Sequence, residues 1–224
     1  MAYAFVQFKA STSQSGTSVV SPSITLTAGN LAVVFLKAGG FGAVNVTSSS
    51  VTDGLGNTYV FVSHIFSSLL FGGYNVDLYY CQNCLGGTTT VTGHYPSSAG
   101  FAELQILEYS GMALTSCLDS HAEDQSGTGT PTKAITTTNA DDIIVGLAIS
   151  ASSSPPCTAS TLTDRTGNFI GGFGAEGEHE LTPAGTITVT TTGNSSGSWI
   201  ISLGAFKVVG SSVRNTLMLQ GTGV

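Results

Sequence analysis

Asn75 to Ser110, NVDLYYCQNCLGGTTTVTGHYPSSAGFAELQILEYS, is the stretch that decides the fold. Val76, Leu78 and Tyr80 alternate with Asp77 and Tyr79, the period of two that sends successive side chains to opposite faces of a sheet. Leu85-Gly86-Gly87 supplies a tight reversal, because glycine reaches positive φ without a Cβ clash. Thr88 to Tyr95 runs back, with Thr89, Val91 and His94 among β-favouring neighbours. Phe101 to Tyr109 makes a third pass, and its run of Leu104, Ile106 and Leu107 predicts burial on more than one side. Three consecutive antiparallel strands mark the chain as all-β.

The same pattern occurs twice. Leu26–Ala38 is echoed by Thr137–Ala148, Thr52–Tyr59 by Thr163–Phe169, Gly87–Thr92 by Gly185–Thr190, and Phe101–Tyr109 by Trp199–Lys207. The second copy is shorter in the hairpin after its Asp/Asn turn. Two diverged four-strand repeats give about eight core strands, the number that suits a double-sheet β-sandwich of jelly-roll type. Neither half is expected to bury its apolar face alone, so residues 1–209 read as a single β-sandwich domain with repeat halves at about 20–110 and 132–208. No segment carries capped apolar residues at helical spacing. After Val209 a Gly-Ser-Ser linker leads into an apolar-alternating tail, residues 210–224. Val213, Leu217, Met218, Leu219 and Val224 are its expected subunit-contacting positions, since an unpaired apolar strand invites association.

Composition narrows the function classes. Only 8% of the 224 residues are charged, against about 25% in ordinary soluble domains. Ser, Thr, Asn and Gly carry the polarity instead, and such a surface tolerates dry contact with copies of itself because few charges need desolvating. A net charge of −7 with six Lys and Arg argues against a nucleic-acid or anionic-membrane surface. No apolar run approaches the roughly 20 residues that span a bilayer. MAYAFVQFKAS has no basic region followed by an apolar one, so no secretory signal is read there.

Few residues invite chemistry. Gly193-Asn-Ser195-Ser-Gly197 has G-x-S-x-G spacing but lies between two strands, where the strand–turn–helix elbow that aims such a serine is missing. Cys81-Gln-Asn-Cys84 has C-x-x-C spacing, and Cys117 and Cys157 complete four thiols. Buried thiols, disulfides and a metal site are all open to them; Cys117 and Cys157, each following a strand, are the better-placed pair for a bridge. Glu176, Glu178, His179 and Glu180 crowd what reads as a solvated loop tip, and Asp119, His121, Glu123 and Asp124 form a similar group. His64 and His94 read as isolated structural residues. Asp53 and Asn57, with Asp164 and Asn168, occupy repeated turns, where such side chains bond nearby backbone amides. Tyr3, Tyr74, Tyr79, Tyr95 and Trp199 could offer stacking platforms for sugars if exposed, although Trp199 matches the core position of Phe101. No catalytic residue, metal site or cofactor is assigned.

TAGNLAVVFL (27–36), VTDGLGNTYV (51–60), VDLYYCQNCLGGTTTVT (76–92) and AELQILEYSG (102–111) together resemble a Ser/Thr/Gly-rich, jelly-roll-like β-sandwich module. That module occurs in phage virion proteins and in bacterial surface or secreted proteins. The likeness runs over about residues 20–208 and implies a fold without implying catalytic residues. Cys81 and Cys84 depart from it, standing where the module has small apolar residues. The tail LMLQGTGV (217–224) is similar to glycine-ending tails of phage structural proteins. The resemblance implies a non-enzymatic virion component located in the particle, with copies of itself and other virion proteins as partners and a decoration, fibre or tail-associated place. The alternative is an extracellular or cell-surface adhesin or carbohydrate-binding module with a glycan receptor.

Overall fold

A computed structural model describes residues 3–39, 45, 49–70, 73–150, 158–159, 161–165, 174–192 and 197–210. Among these there is no helix. The strands of the first part are β1 (Ala4–Ala10), β2 (Gln14–Val20), β3 (Ile24–Leu26), β4 (Leu31–Gly39), β5 (Ser50–Asp53), β6 (Val60–Ser67), β7 (Tyr74–Cys81), β8 (Gly87–Thr89) and β9 (Val91–Ser110). Those of the second are β10 (Leu118–Ser126), β11 (Thr132–Thr136), β12 (Asp142–Ser150), β13 (Thr158–Ala159), β14 (Thr163–Asp164), β15 (Gly174–Leu181), β16 (Thr186–Thr192) and β17 (Trp199–Phe206). All strand pairs are antiparallel.

Two inner sheets carry the architecture, one ordered β1-β9-β4-β7-β6 and the other β10-β17-β12-β15-β14. On β4, Leu31, Val33 and Phe35 point into a central core shared with Ile143, Val145, Leu147 and Ile149 of β12. The intervening Ala32, Val34, Leu36 and Ala38 point the other way, toward Val19, Ile24, Leu26 and Val91 of outer strands. The second inner sheet repeats the arrangement, with Ile144, Ala148, Ile201 and Leu203 packed against Ile135 and Val189. A strand covered on both faces has no polar side to show, which is why LAVVFLKAG and DIIVGLAIS read as near-continuous apolar runs. Gly146 is required by this packing: a Cβ there would lie 2.5 Å from Leu203 and 2.9 Å from Leu162.

From Val91 onward the expected strands at 88–95 and 101–109 are one strand, β9, of 20 residues, while Thr88 and Thr89 belong to β8. Its first half pairs with β2 and β5 on the outside, and its second half pairs with β1 and β4 on the inside. Pro96, Ser97 and Ser98 are exposed at the point where it crosses from one layer to the other. A chain that changes layer by bending keeps its ladder on both sides of the corner, so the Pro-Ser-Ser segment does not end the strand.

Buried polar groups are paired at both ends of the central core. At one end Lys37 Nζ lies 2.9 Å from Glu103 Oε2, both side chains buried. At the other, fully buried Glu178 accepts from Tyr109 Oη at 3.2 Å. Arg165 Nε donates to both Glu178 oxygens at 2.7 and 3.0 Å, and its Nη2 donates to Oε1. The guanidinium lies 4.7 Å from the Phe5 ring of β1, so one arginine ties an ion pair of the second sheet to the edge of the first. That Glu178 hydrogen bond holds Arg165 above the ordinary guanidinium range, while burial and then the Glu178 charge push the Tyr109 hydroxyl well up.

Removing Arg165 strands the Glu178 charge. Arg165→Met should cost on the order of 3 kcal/mol. Urea unfolding of the variant beside the wild type measures the difference.

Candidate functional site beside residue 210

Three backbone segments meet where the described chain ends. After β9, Gly111 turns with φ +76°, and residues 111–117 then run beside 207–209. Ala113 N donates to Lys207 O, Lys207 N to Cys117 O and Val209 N to Gly111 O, each at 2.8 Å. Met112 and Val208 form a bridge. Between this ribbon and the turn before β12 opens a cleft of about 380 Å³ lined by Ala113, Leu114, Asn139, Lys207, Val208, Val209 and Gly210. Leu114 is 50% exposed and Val209 38%, high for large apolar side chains.

Behind the cleft stands a pair of acids. Asp119, at the bulge that starts β10, accepts from Thr138 N at 2.6 Å, Thr138 Oγ1 at 2.5 Å and Asn139 Nδ2 at 2.9 Å. Asp142, the first residue of β12, is completely buried against it, and neither of its carboxyl oxygens has a donor in hydrogen-bonding geometry. Burial, then the bond to Asp119 and that residue's charge, push Asp142 up to about 7 against a weaker pull from Asn139 and Lys207. Burial would raise Asp119 too, but the Thr138 donors and the bond with Asp142 outweigh it and leave Asp119 below the usual carboxylate range. The first sheet has an amide rather than an acid at the place before its long apolar strand. Asn30, just before Leu31, donates through Nδ2 to Glu108 Oε1 at 2.7 Å, and Thr27 N reaches the same oxygen at 2.8 Å. Asp142 holds the matching place before Ile143, since Leu31 registers with Tyr109 and Ile143 with Phe206.

The residues singled out from sequence are dispersed. Asp53 Oδ1 accepts from Leu55 N and Asn57 N at 3.0 and 3.1 Å, and its Oδ2 from Asn57 Nδ2 at 2.7 Å and Tyr59 Oη at 3.1 Å. Asn57 Oδ1 in turn receives Leu85 N at 2.6 Å, joining the turn to the C-x-x-C loop. Asp164 lies in β14 opposite Gly177, and Asn168 falls outside the described residues. So do Cys157, Ser195, and Val213, Leu217, Met218, Leu219 and Val224 of the tail.

Cys81, Cys84 and Cys117 are buried free thiols. The bond to Cys81 and then burial raise Cys84, whose Sγ lies 3.3 Å from Cys81 O, and burial pushes Cys117 up to about 12. Among the described residues no three His, Cys, Asp or Glu side chains group as metal ligands. Glu178 departs from the reading of residues 176–180 as a loop tip: it is part of β15, turned inward to Arg165. His64 is not isolated either. Its Nδ1 lies 2.5 Å from buried Asp77 Oδ1 and its Nε2 2.7 Å from Asn45 Oδ1, while Ser49 Oγ donates to Asp77 Oδ2 at 2.6 Å. His94 Nε2 meets Thr52 Oγ1 at 2.9 Å. His121 and Glu123 form an exposed contact on β10, and Asp124 meets Lys133 at 3.3 Å.

Tyr74, Tyr79, Tyr95 and Trp199 are buried, so their ring faces are closed to a ligand. Sequence reasoning did not single out Asp142, Asn139, Lys207 or Leu114; aligning Asp142 with Asn30 was the available signal for the first. No family model matches the chain, nor does any curated protein or solved structure.

Thiols buried in the fold react slowly, because the reagent must reach the sulfur and the thiolate is the nucleophile. Under native conditions at pH 8, mass mapping after a short iodoacetamide pulse should find Cys81, Cys84 and Cys117 unlabelled, and labelled after unfolding in guanidinium.

Proposed function

We propose that the protein is a non-enzymatic structural component of a phage-like virion, a decoration, fibre or tail-associated part whose copies associate with one another and with other virion proteins. The observation that carries this reading is the apolar cleft at Gly210, where Leu114 and Val209 stand exposed at the point from which the apolar tail departs. A tail of alternating apolar residues and a cleft of matching chemistry suit an exchange in which Val213–Val224 of one copy seats against another. The low charge density supports it, because contact between copies then desolvates few ions. The buried charges at hand are engaged inside the fold: Lys37 with Glu103, Glu178 with Arg165, and Asp77 with His64 and Ser49 as hydrogen-bond partners.

We also read the architecture as a jelly-roll-type sandwich grown from two diverged repeats. The order β9-β4-β7 in one inner sheet and β17-β12-β15 in the other supports this, as do the edge strands β1 and β10 beside β9 and β17. Burial of Tyr74, Tyr79, Tyr95 and Trp199, with Tyr3 alone of the candidate stacking rings partly exposed, weighs against the alternative of a glycan-binding module.

Native mass spectrometry tests the assembly. The full chain should run as an oligomer, while a chain ending at Gly210 and the full-length Leu114→Ser variant should shift toward monomer with unchanged far-ultraviolet circular dichroism. A full chain that is monomeric at high concentration, or an oligomer indifferent to both changes, overturns it.

A further inference from the structure

We infer that Asp119 and Asp142 form a proton-shared latch that fastens the turn before β12 to the start of β10, and that rising pH loosens it. The geometry leaves Asp142 little choice. Its side chain is fully buried, neither oxygen has a hydrogen bond of good geometry, Asn139 exerts only a weaker pull, and its neighbour is a carboxylate already supplied with three donors from Thr138 and Asn139. Two acceptors facing one another without solvent bind only through a proton held between them, and a second charge in that place would be both desolvated and repelled. Asp142 therefore carries the proton and donates it to Asp119, doing with O–H what Asn30 does with N–H toward Glu108 in the first sheet.

The surroundings contain little to rescue an ionised pair. Lys207, from the segment after β17, is the nearby cation, and Cys117, before β10, is a buried neutral thiol. On β15 the residue in register with Asp142 is Leu181, and the neighbouring Asp141 turns its own carboxylate to Thr182 Oγ1 at 2.6 Å. Loss of the Asp142 proton to solvent leaves two carboxylates facing one another with Lys207 as the nearby cation, and the Asn139 and Lys207 walls of the cleft are the parts attached to them.

The sign follows from linkage. Asp142 holds its proton longer in the folded chain than in the unfolded one, so the latch is fully present below the unfolded value of 3.8 and is lost as pH rises to about 7. The wild-type melting temperature should carry a downward component across that window, and Asp142→Asn, which donates without titrating, should remove it and melt higher than wild type at pH 8. In wild-type protein, carbon-13 carboxyl NMR should show one aspartate titrating near 7. An aspartate titration confined to the ordinary range overturns the latch, as does an Asp142→Asn variant whose melting temperature follows pH as the wild type does. If Asp142→Asn fails to fold, the wild-type carboxyl titration decides alone. Neither readout involves the oligomer, so the latch and the assembly reading stand or fall separately.

Discussion

Burial of β4 and β12 on both faces is the constraint on which the remaining structure depends. Each strand sends alternate side chains into the central core and into an outer one, so losing either cover would bare about half of an apolar strand. At about 25 cal/mol for each Å² of apolar surface returned to water, that exposure is large beside a net folding stability of about 10 kcal/mol. The outer strands are therefore part of the same cooperative problem as the inner sheets. Little charge remains in such an arrangement, and what does remain must be paired.

The pairs are arranged accordingly. Lys37–Glu103 and Glu178–Arg165 sit at opposite ends of the central core, where the inner sheets meet. A buried ion pair rarely adds net stability over apolar packing, yet breaking one leaves a charge that nothing compensates. Such pairs penalise strands that pair out of register. Phe5 and Tyr80 act alongside them through ring contacts, Phe5 with Tyr109 and Tyr80 with Phe206 of the opposing sheet.

Much of the inner architecture was legible in the sequence because it is written locally. The alternation in Val76–Tyr80 and the apolar runs at 31–36 and 143–149 identify strands and their burial without any partner in view. The limits were long-range. Pro96-Ser97-Ser98 carries the composition of a loop, and only pairing on both sides keeps β9 continuous through it. Glu178 reads as a solvated residue until Arg165 and Tyr109, from distant positions, close over it. Asp142 was hidden for the same reason, since its one telling neighbour, Asp119, lies on another strand. The cleft is formed by three segments whose individual sequences say nothing of one another.

The placement of β1 has a consequence for the growing polypeptide. β1 pairs with residues 105–110 of β9, almost the whole first half of the chain later. During synthesis the amino-terminal strand must therefore wait, its backbone groups served only by water, until Ser110 has cleared the ribosome. Chains whose contacts span such separations organise slowly, and nascent edges left open in the interval are the places where neighbouring polypeptides on one message can become entangled.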